Sequence, residues 1–291
     1  MLKKLKIISI SIFLLTQNSY AIEENNREKQ KYPIHNPVPG GIAVIDLNLS
    51  LKNPEKPNVK YNNKKIMVRK NGANWQAIIG LSLKTKPGKH ELKIVTSEGK
   101  QYSQYFTTKD KQYEKQYITI KNKGMVSLSP ENLERAISDK KISQKAFKTW
   151  LENNNVKLDF IMPVEGRVSG RFGLKRFFNN KPRKPHSGID IASPTGTLIK
   201  APADGIVIAT GNFYFNGNVV FVDHGQGLIT MFCHMDKISV SKNQKLNRGD
   251  KIGEVGETGR VTGAHLHFSV SLNNTRIDPE LLLPPIPELK K

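Results

Sequence analysis

The stretch that most constrains the fold is residues 262–270, because its alternating pattern is typical of a β-strand with one buried face. Alternate side chains of a strand share a face, so His265 and His267 point the same way, while Leu266 and Phe268 point into a core. Two imidazoles on one face indicate a metal site, because neutral imidazole is the commonest metal ligand. The alternative is a pair of unrelated histidines, one structural and one exposed.

Two upstream segments carry further residues of the ligand type. His186 and Asp190 lie four residues apart in a segment that its proline and glycine make a poor helix. Fully extended, the two residues would lie ~13 Å apart, which is too far to share one ion at bonds of ~2 Å. The sequence therefore predicts a bend at Ser187-Gly188. A third segment, residues 231–235, places His234 at the end of an apolar strand.

Together these segments resemble a known family. His186-x-x-x-Asp190, a later strand that ends in His234, and His265-x-His267 are similar to the motifs of the lysostaphin-type (LytM-like) zinc metallopeptidases. The framing segments match too, and they are Gly170-Arg171-Phe172-Gly173, Ala201-Pro202-Ala203-Asp204-Gly205, Val222-Asp223-His224-Gly225 and Gly249-Asp250-Lys251-Ile252-Gly253. The resemblance covers about residues 160–280, and it implies a C-terminal LytM-like antiparallel β domain.

The resemblance also implies a set of site residues. His186, Asp190 and His267 are expected to hold one zinc ion per chain, since two nitrogens and one carboxylate oxygen with an open fourth position suit a catalytic zinc. His234 and His265 are expected to flank the attacking water and the substrate. One of them would take the proton of the water, and the other would stabilise the oxyanion or protonate the leaving amine. Which does which stays open.

The expected function follows from the same resemblance. The chain is predicted to be an exported zinc metalloendopeptidase that hydrolyses peptide bonds in peptidoglycan stem peptides or cross-links. The expected bond is the D-alanyl–diaminopimelate cross-link, and a glycine bridge is the alternative. A second hypothesis is a non-catalytic LytM-like module that binds the wall or activates an amidase, but all five site positions are filled. A carrier domain of the biotinyl or lipoyl type is disfavoured, because no Met-Lys-Met-like hairpin is present.

Five other residues of suitable types are not expected to belong to the site. His224 precedes a glycine-rich turn and is interpreted as a structural hydrogen-bonding residue, and Arg171 is read as either a substrate contact or a loop cap. His35 and His90 have no sequence neighbours of the ligand type. Cys233, the single cysteine, cannot form an internal disulfide and is predicted to be a buried, inert thiol.

The charge balance predicts an anionic partner. The formal net charge is +21, and the excess is larger in the N-terminal half. Peptidoglycan is the expected substrate, and anionic envelope polymers or a membrane surface are the expected attractors, whereas nucleic acid is excluded for an exported protein. Basic residues also crowd residues 174–185. That segment is predicted to be a mobile polar rim of the cleft or a solvated loop.

The first 21 residues are predicted to be a signal peptide. Lys3, Lys4 and Lys6 precede an apolar run that is too short for a comfortable membrane span of ~20 residues, and Ser19-Tyr20-Ala21 is a small-x-small cleavage site. No transmembrane segment is expected in the mature chain. The predicted location is outside the cytoplasm, with the periplasm favoured over the extracellular space.

The fold class is predicted to be mainly β, in three parts after the signal peptide. Residues 33–127 read as strands at about ten-residue spacing, which predicts a small antiparallel β-sandwich with immunoglobulin-like architecture. Residues 128–155 read as a helical connector of two short helices, with Leu133, Ile137, Phe147 and Leu151 on their apolar faces. Residues 156–285 form the LytM-like domain.

Overall fold

The computed structural model describes residues 31–50, 55–119 and 128–286. The predicted signal peptide lies outside these residues. Within the described residues, no helix combines the length and the apolar character that a membrane crossing requires. The described part of the chain is mainly β with one α-helix, and its sheets are predominantly antiparallel, which confirms the predicted fold class.

The N-terminal region forms two antiparallel sheets that pack face to face. One sheet has the order β1-β5-β4 and the other the order β3-β2-β6-β7. Trp75, Ala77 and Ile79 alternate along one strand and pack against the second sheet. The strands are β1 (Ile42–Ser50), β2 (Asn58–Tyr61), β3 (Lys64–Lys65), β4 (Met67–Asn71), β5 (Asn74–Gly80), β6 (Gly88–Val95) and β7 (Gln101–Thr108).

The other face of the first sheet packs on the C-terminal half. Ile42, Met67 and Ile78 are buried in the same hydrophobic cluster as the core of the C-terminal sheet. Asn273 adds a polar contact across this boundary, since its Oδ1 accepts from the Gly80 backbone N–H at 2.7 Å and its Nδ2 donates to the Gly80 carbonyl at 3.2 Å. The β1-β5-β4 sheet is therefore covered on both faces, and the two halves share one core.

The C-terminal half is built on one large antiparallel sheet, with the strand order β17-β14-β15-β16-β19-β12-β9. Strand β18 pairs with β13 and β16, and β20 pairs with β19. The strands are β9 (Arg167–Gly170), β10 (Lys175–Phe178), β11 (Lys181–Pro182), β12 (Ile189–Ala192), β13 (Leu198–Lys200), β14 (Gly205–Phe213), β15 (Gly217–Gly225), β16 (Leu228–Ile238), β17 (Lys245–Leu246), β18 (Lys251–Val255), β19 (His265–Leu272) and β20 (Thr275–Ile277).

One strand predicted for the sandwich lies elsewhere. The segment read as a strand at 116–120 is β8 (Lys115–Ile118), and it pairs in parallel with β10. Tyr117 stacks on Phe177 with ring centres 4.9 Å apart, and Arg176 Nε donates to Gln116 Oε1 at 3.1 Å. Residues 174–185, predicted as a mobile polar rim or a solvated loop, thus contain the β10–β11 hairpin, and β8 pairs with its β10 strand.

The predicted pair of connector helices is wrong, because residues 128–155 contain a single α-helix, α1 (Pro130–Phe147). The Ser129 side chain caps it as expected, accepting from the Asn132 N–H at 3.3 Å. No glycine or proline interrupts the middle of the segment, so one helix continues through it. Only its last turn is buried, whereas Leu133 and Ile137, predicted to pack, are 49% and 46% exposed.

Cys233 is fully buried, as predicted. Burial raises the pKa of its thiol to about 12, so the reactive thiolate does not form at neutral pH. Asn216 Nδ2 lies 3.3 Å from the sulfur. The thiol therefore behaves as a small core side chain beside the site.

Asp223 provides a pH-dependent term in stability. Its Oδ1 accepts from the Gly225 N–H at 2.7 Å, and burial raises the pKa of this carboxyl from 3.8 to about 6. The folded state therefore binds a proton at Asp223 more tightly than the unfolded chain does. The resulting contribution to the free energy of unfolding is complete below about pH 4 and is lost as the pH rises through 6. Relative to Asp223→Asn, the wild type should lose about 2 kcal/mol of unfolding free energy between pH 4 and 8. Urea denaturation of both proteins measures this, and a pH-independent difference would contradict it.

Candidate metal centre and active-site cleft

Strand pairing between β12 and β19 brings three candidate residues together. Asp190 lies directly opposite His267, and Ala192 lies opposite His265. The chain bends at Gly188, immediately before β12, and returns His186 to the same place. A Cβ on Gly188 would lie 2.4 Å from the Phe268 carbonyl oxygen. Glycine is thus required here because the bend packs against β19, and not because of a left-handed backbone.

The donor atoms of His186, Asp190 and His267 converge on one point. His186 Nε2 lies 3.0 Å from Asp190 Oδ1 and 3.0 Å from His267 Nδ1, and His267 Nδ1 lies 2.7 Å from Asp190 Oδ1. In a tetrahedral site with bonds of ~2.1 Å the ligand atoms are ~3.4 Å apart, so the cluster would need to open by only about half an ångström. The geometry is that of atoms that can share one small ion.

Hydrogen bonds on the outer side of each ring fix which nitrogen carries the proton. His186 Nδ1 donates to the Arg171 carbonyl at 2.8 Å, so its Nε2 presents a lone pair. The Ser269 hydroxyl donates to the Ser187 carbonyl and therefore accepts from His267 Nε2 at 2.9 Å, which leaves His267 Nδ1 without a proton. Two bare nitrogens and one carboxylate oxygen then face each other. This donor set can hold a cation, and its composition suits zinc.

Asp190 supplies the negative charge of the cluster. Its burial favours the neutral acid, but His186 and His267 outweigh that effect and hold its pKa well below the usual range. Arg176 contributes a contact that sequence reasoning missed, because its Nη2 donates to Asp190 Oδ2 at 2.7 Å. One carboxylate oxygen thus faces the two histidines while the other is held by the guanidinium. Arg176 orients the carboxylate, as outer hydrogen-bond partners do in metal sites.

His234 reaches the cleft through a β-bulge. Between the paired residues 218/235 and 220/232, β15 contributes one residue and β16 contributes two, Cys233 and His234. His234 has a φ of +64°, a left-handed conformation that is uncommon for a residue with a side chain. Its backbone N–H donates to the Asn216 carbonyl at 2.8 Å, which holds the bulge. Bulges of this kind re-aim a side chain beside functional sites.

The two remaining histidines of the predicted site present the same ring atom to the cleft. His234 Nδ1 donates to the Thr258 carbonyl at 2.9 Å, and His265 Nδ1 donates to the Gly263 carbonyl at 2.8 Å. In both rings Nε2 is left as the acceptor. The ring centres lie 4.8 Å apart, and His265 Nε2 lies 3.8 Å from Asp190 Oδ1. Burial lowers the pKa of His234 to about 3, so its ring is neutral at pH 7 and its Nε2 keeps a lone pair.

The histidines set aside from the site are engaged elsewhere. His224 is buried between the Asp204 carbonyl at 2.7 Å and Thr230 Oγ1 at 2.9 Å. His35 accepts from the Val44 N–H at 3.0 Å, and His90 bonds to the Tyr61 hydroxyl at 2.9 Å. The Arg171 guanidinium pairs with Glu280, and only its carbonyl touches the site. These positions agree with structural roles.

Comparison with known proteins begins with two family models. Residues 184–279 match Peptidase family M23, and residues 35–111 match the Peptidase family M23 N-terminal domain. All five candidate site residues lie within the first match. A solved Pseudomonas aeruginosa protein described as a peptidase M23 is 38% identical, with a TM-score of 0.73 over 87% of this chain and 97% of that one. The chain belongs to peptidase family M23.

The family assignment confirms the predicted enzyme class, a zinc metallopeptidase of the LytM type, and the expected zinc cofactor. Among curated M23-type relatives, the peptidoglycan DD-endopeptidase ShyA of Vibrio cholerae is 42% identical over 111 residues, 37% of this chain and 26% of ShyA. The DD-carboxypeptidase/endopeptidase Mpg of Neisseria meningitidis is 36% identical over 126 residues, 43% of this chain and 29% of Mpg. The matched region thus spans between a quarter and a third of these relatives.

Proposed function

We propose that this M23 protein is an exported zinc metalloendopeptidase that cuts peptide bonds in peptidoglycan cross-links, at the D-alanyl–diaminopimelate bond. The observation that carries the proposal is the completeness of the site. Three candidate ligand atoms converge on one point, and the unprotonated Nε2 atoms of His234 and His265 lie in the same cleft. The names of the curated relatives, a peptidoglycan DD-endopeptidase and a DD-carboxypeptidase/endopeptidase, support the substrate class. Both names specify a bond between D-centres.

The proposed ligands are His186 Nε2, Asp190 Oδ1 and His267 Nδ1. When bound there, zinc supplies a Lewis acid that polarises the scissile carbonyl and lowers the pKa of water. Arg176 and the outer hydrogen bonds of the two histidines keep the three atoms aimed inward before any ion arrives. The single carboxylate leaves the site net positive with the ion bound, which favours the electrophilic role.

His234 and His265 are the proposed acid–base pair. The Nε2 atom of each ring is free to accept a proton, because a backbone carbonyl holds the proton on each Nδ1. One ring would accept the proton of the attacking water. The partner ring would stabilise the oxyanion, or donate a proton to the leaving amine, in its imidazolium form, which carries a proton on Nε2 as well. With ring centres 4.8 Å apart, the two can act on the same tetrahedral centre.

The outer face of the β3-β2-β6-β7 sheet supports the predicted attraction to anionic envelope polymers. Lys89 and Lys93 are exposed on one face of β6 with Glu91 between them, and Lys60 lies opposite Lys93 on β2. Lys89 also lies over the Tyr105 ring at 4.1 Å. A cationic face of this kind raises the local concentration of a polyanion. A membrane surface remains the alternative attractor, and both stay predictions.

Digestion of purified peptidoglycan tests the proposal. The zinc-loaded protein is expected to convert cross-linked muropeptide dimers into monomers, and mass spectrometry should find the new amine on diaminopimelate. A chelator-treated aliquot is the matched control, and activity should return with added zinc. Products that carry newly exposed glycine amines would contradict the bond. Tight binding to the wall with intact dimers would instead identify a non-catalytic module.

A further inference from the structure

An extended segment, residues 113–118, joins the N-terminal region to the hairpin beside the proposed metal centre. It follows β7 by a short connection and contains β8. Just before it, the Lys109 N–H donates to the Pro37 carbonyl at 2.9 Å, and at its start the Tyr113 hydroxyl donates to the Pro39 carbonyl at 2.7 Å. The segment is thus anchored on the N-terminal region, and we call residues 113–118 the brace.

The first contact of the brace reaches the backbone that pairs with His186. The Tyr113 ring packs against Gly173, where a Cβ would lie 2.1 Å from the ring. Gly173 also has a φ of +83°, so the close approach and the left-handed backbone both favour glycine there. The Gly173 N–H donates to the His186 carbonyl at 2.9 Å, and the His186 N–H donates to the Leu174 carbonyl at 3.0 Å. The ring therefore covers the stretch that holds the backbone of His186.

The second contact of the brace reaches Asp190 through Arg176. Parallel pairing sets Gln116 opposite Arg176, and the Lys175 N–H donates to the Glu114 carbonyl at 2.8 Å. Gln116 Oε1 accepts from Arg176 Nε at 3.1 Å, and Arg176 Nη2 donates to Asp190 Oδ2 at 2.7 Å. Two different N–H groups of one guanidinium are thus held, one by the brace and one by the carboxylate.

Holding Arg176 at two points restricts a long side chain that otherwise has many rotamers. Because the guanidinium is planar and rigid, fixing its Nε also fixes the direction in which its Nη2 donates. Arg176 then holds Oδ2 of Asp190, which leaves Oδ1 facing His186 and His267. Outer hydrogen-bond partners of this kind orient metal ligands and tune metal affinity. Because Gln116 is neutral, it directs the guanidinium and leaves the Asp190 carboxylate as its charged partner.

We propose that Gln116 is a positioning residue for the zinc site, and that the N-terminal region sets the zinc affinity through it. This inference rests on the proposed function and its ligand set. Gln116 acts through Arg176 rather than by contact with a ligand atom. Displacing β8 from β10 would therefore release Arg176 and weaken the hold of the site on zinc.

The zinc affinity of the full chain, measured by competition with a chromophoric chelator, tests the proposal without any substrate. Gln116→Leu removes the acceptor at similar volume and should weaken zinc binding about 10-fold, the lower end of the effect of an outer partner. Gln116→Glu keeps the acceptor and should bind zinc at least as tightly as the wild type. Lys115→Gln, an exposed change on the same strand, is the matched control and should leave the affinity unchanged. If Gln116→Leu does not fold, Gln116→Asn replaces it, because the shorter amide does not reach Arg176.

Cobalt in place of zinc separates positioning from plain stability. The visible absorption of bound Co²⁺ depends on its coordination geometry, so Gln116→Leu should change this spectrum while Gln116→Glu keeps it. An unchanged spectrum in Gln116→Leu overturns the inference, as does a loss of zinc affinity that Gln116→Glu shares.

Asp190→Asn in the same zinc assay distinguishes this inference from the proposed function. If Asp190→Asn loses zinc while Gln116→Leu keeps the wild-type affinity, the inference alone is wrong. If Asp190→Asn keeps tightly bound zinc, the ligand set of the proposed function is wrong, and the inference fails with it.

Discussion

Replacing Asp190 with alanine is expected to remove zinc and peptidase activity together. Asp190 Oδ1 lies within hydrogen-bond distance of His186 Nε2 and His267 Nδ1, and it contributes the one negative charge of the proposed donor set. Without it, two neutral imidazoles face a cation beside the guanidinium of Arg176. The loss of affinity should exceed the ~10–100-fold that follows removal of a mere outer hydrogen-bond partner. Metal analysis after dialysis against a weak chelator measures the zinc content.

An isosteric substitution distinguishes loss of a zinc ligand from loss of the folded structure. Asp190→Asn keeps the volume of the side chain but not its charge, and it is expected to lose zinc as well. Asp159→Ala is the matched control, because Asp159 is an exposed carboxylate of the same half that pairs with Arg248 at 3.2 Å. That variant should retain one zinc per chain and full activity. A folded Asp190→Asn protein that retains one tightly held zinc would show that Asp190 is not a ligand.

The convergence of His186, Asp190 and His267 could be predicted because their spacing is local and their residue types are rare. His265 and His267 share a strand face by the period of two, and a bend at Ser187-Gly188 was required to bring His186 back to Asp190. The structure adds why glycine stands at 188, namely the close approach of the Phe268 carbonyl. That reason depends on a neighbouring strand distant in sequence, which no local pattern contains.

Arg176 could not be distinguished from its neighbours by sequence. The segment 174–185 holds several lysines and arginines, and a basic, polar stretch is most often a solvated loop. The structure makes it a hairpin because β8, from more than fifty residues upstream, pairs with β10 in parallel. Parallel strands are not joined by a tight turn, so no turn motif in the sequence indicates that β8 and β10 pair. The register that directs Arg176 toward Asp190 therefore could not be predicted from the sequence.

For helix α1, the sequence predicts where the helix starts but not how long it is or which of its turns is buried. Its start was predicted from Ser129 and Pro130, because capping is a local interaction. Its length was underestimated, and Leu133 and Ile137 were assigned to a buried face that only Ala146 and Phe147 provide. Which turn of a helix is buried depends on the sheet beneath it, here through Phe221, whose ring centre lies 5.2 Å from that of Phe147.

The bulge at His234 belongs to the same class of long-range features. The sequence placed His234 at the end of a strand, but β16 continues to Ile238. An extra residue opposite Val219 and a left-handed φ turn the ring toward His265. Asparagine and glycine usually occupy such positions, so a histidine there gives no sequence signal. Backbone strain at this residue is consistent with a functional position.

His234→Ala and His265→Ala are expected to keep zinc and lose the reaction. Neither ring supplies one of the three convergent donor atoms, and each Nε2 is instead aimed into the cleft by a backbone carbonyl. Positioned acid–base and oxyanion-stabilising groups contribute roughly 10²–10⁴-fold to rate, so kcat should fall by that factor with little change in KM. Zinc should stay near one per chain, as in the control His35→Ala, whose ring lies on the N-terminal sheet.

The result for His265→Ala decides whether His265 is an acid–base group or a zinc ligand. It shares a strand face with His267, and its Nε2 lies 3.8 Å from Asp190 Oδ1, close enough for a small movement to bring it to the ion. The Gly263 carbonyl, which accepts from its Nδ1 at 2.8 Å, opposes that movement by holding the ring at its other edge. If this restraint holds, zinc affinity in His265→Ala equals that of the wild type while the rate collapses. Zinc loss comparable to that of Asp190→Ala would make His265 a ligand and would leave His234 as the remaining acid–base group.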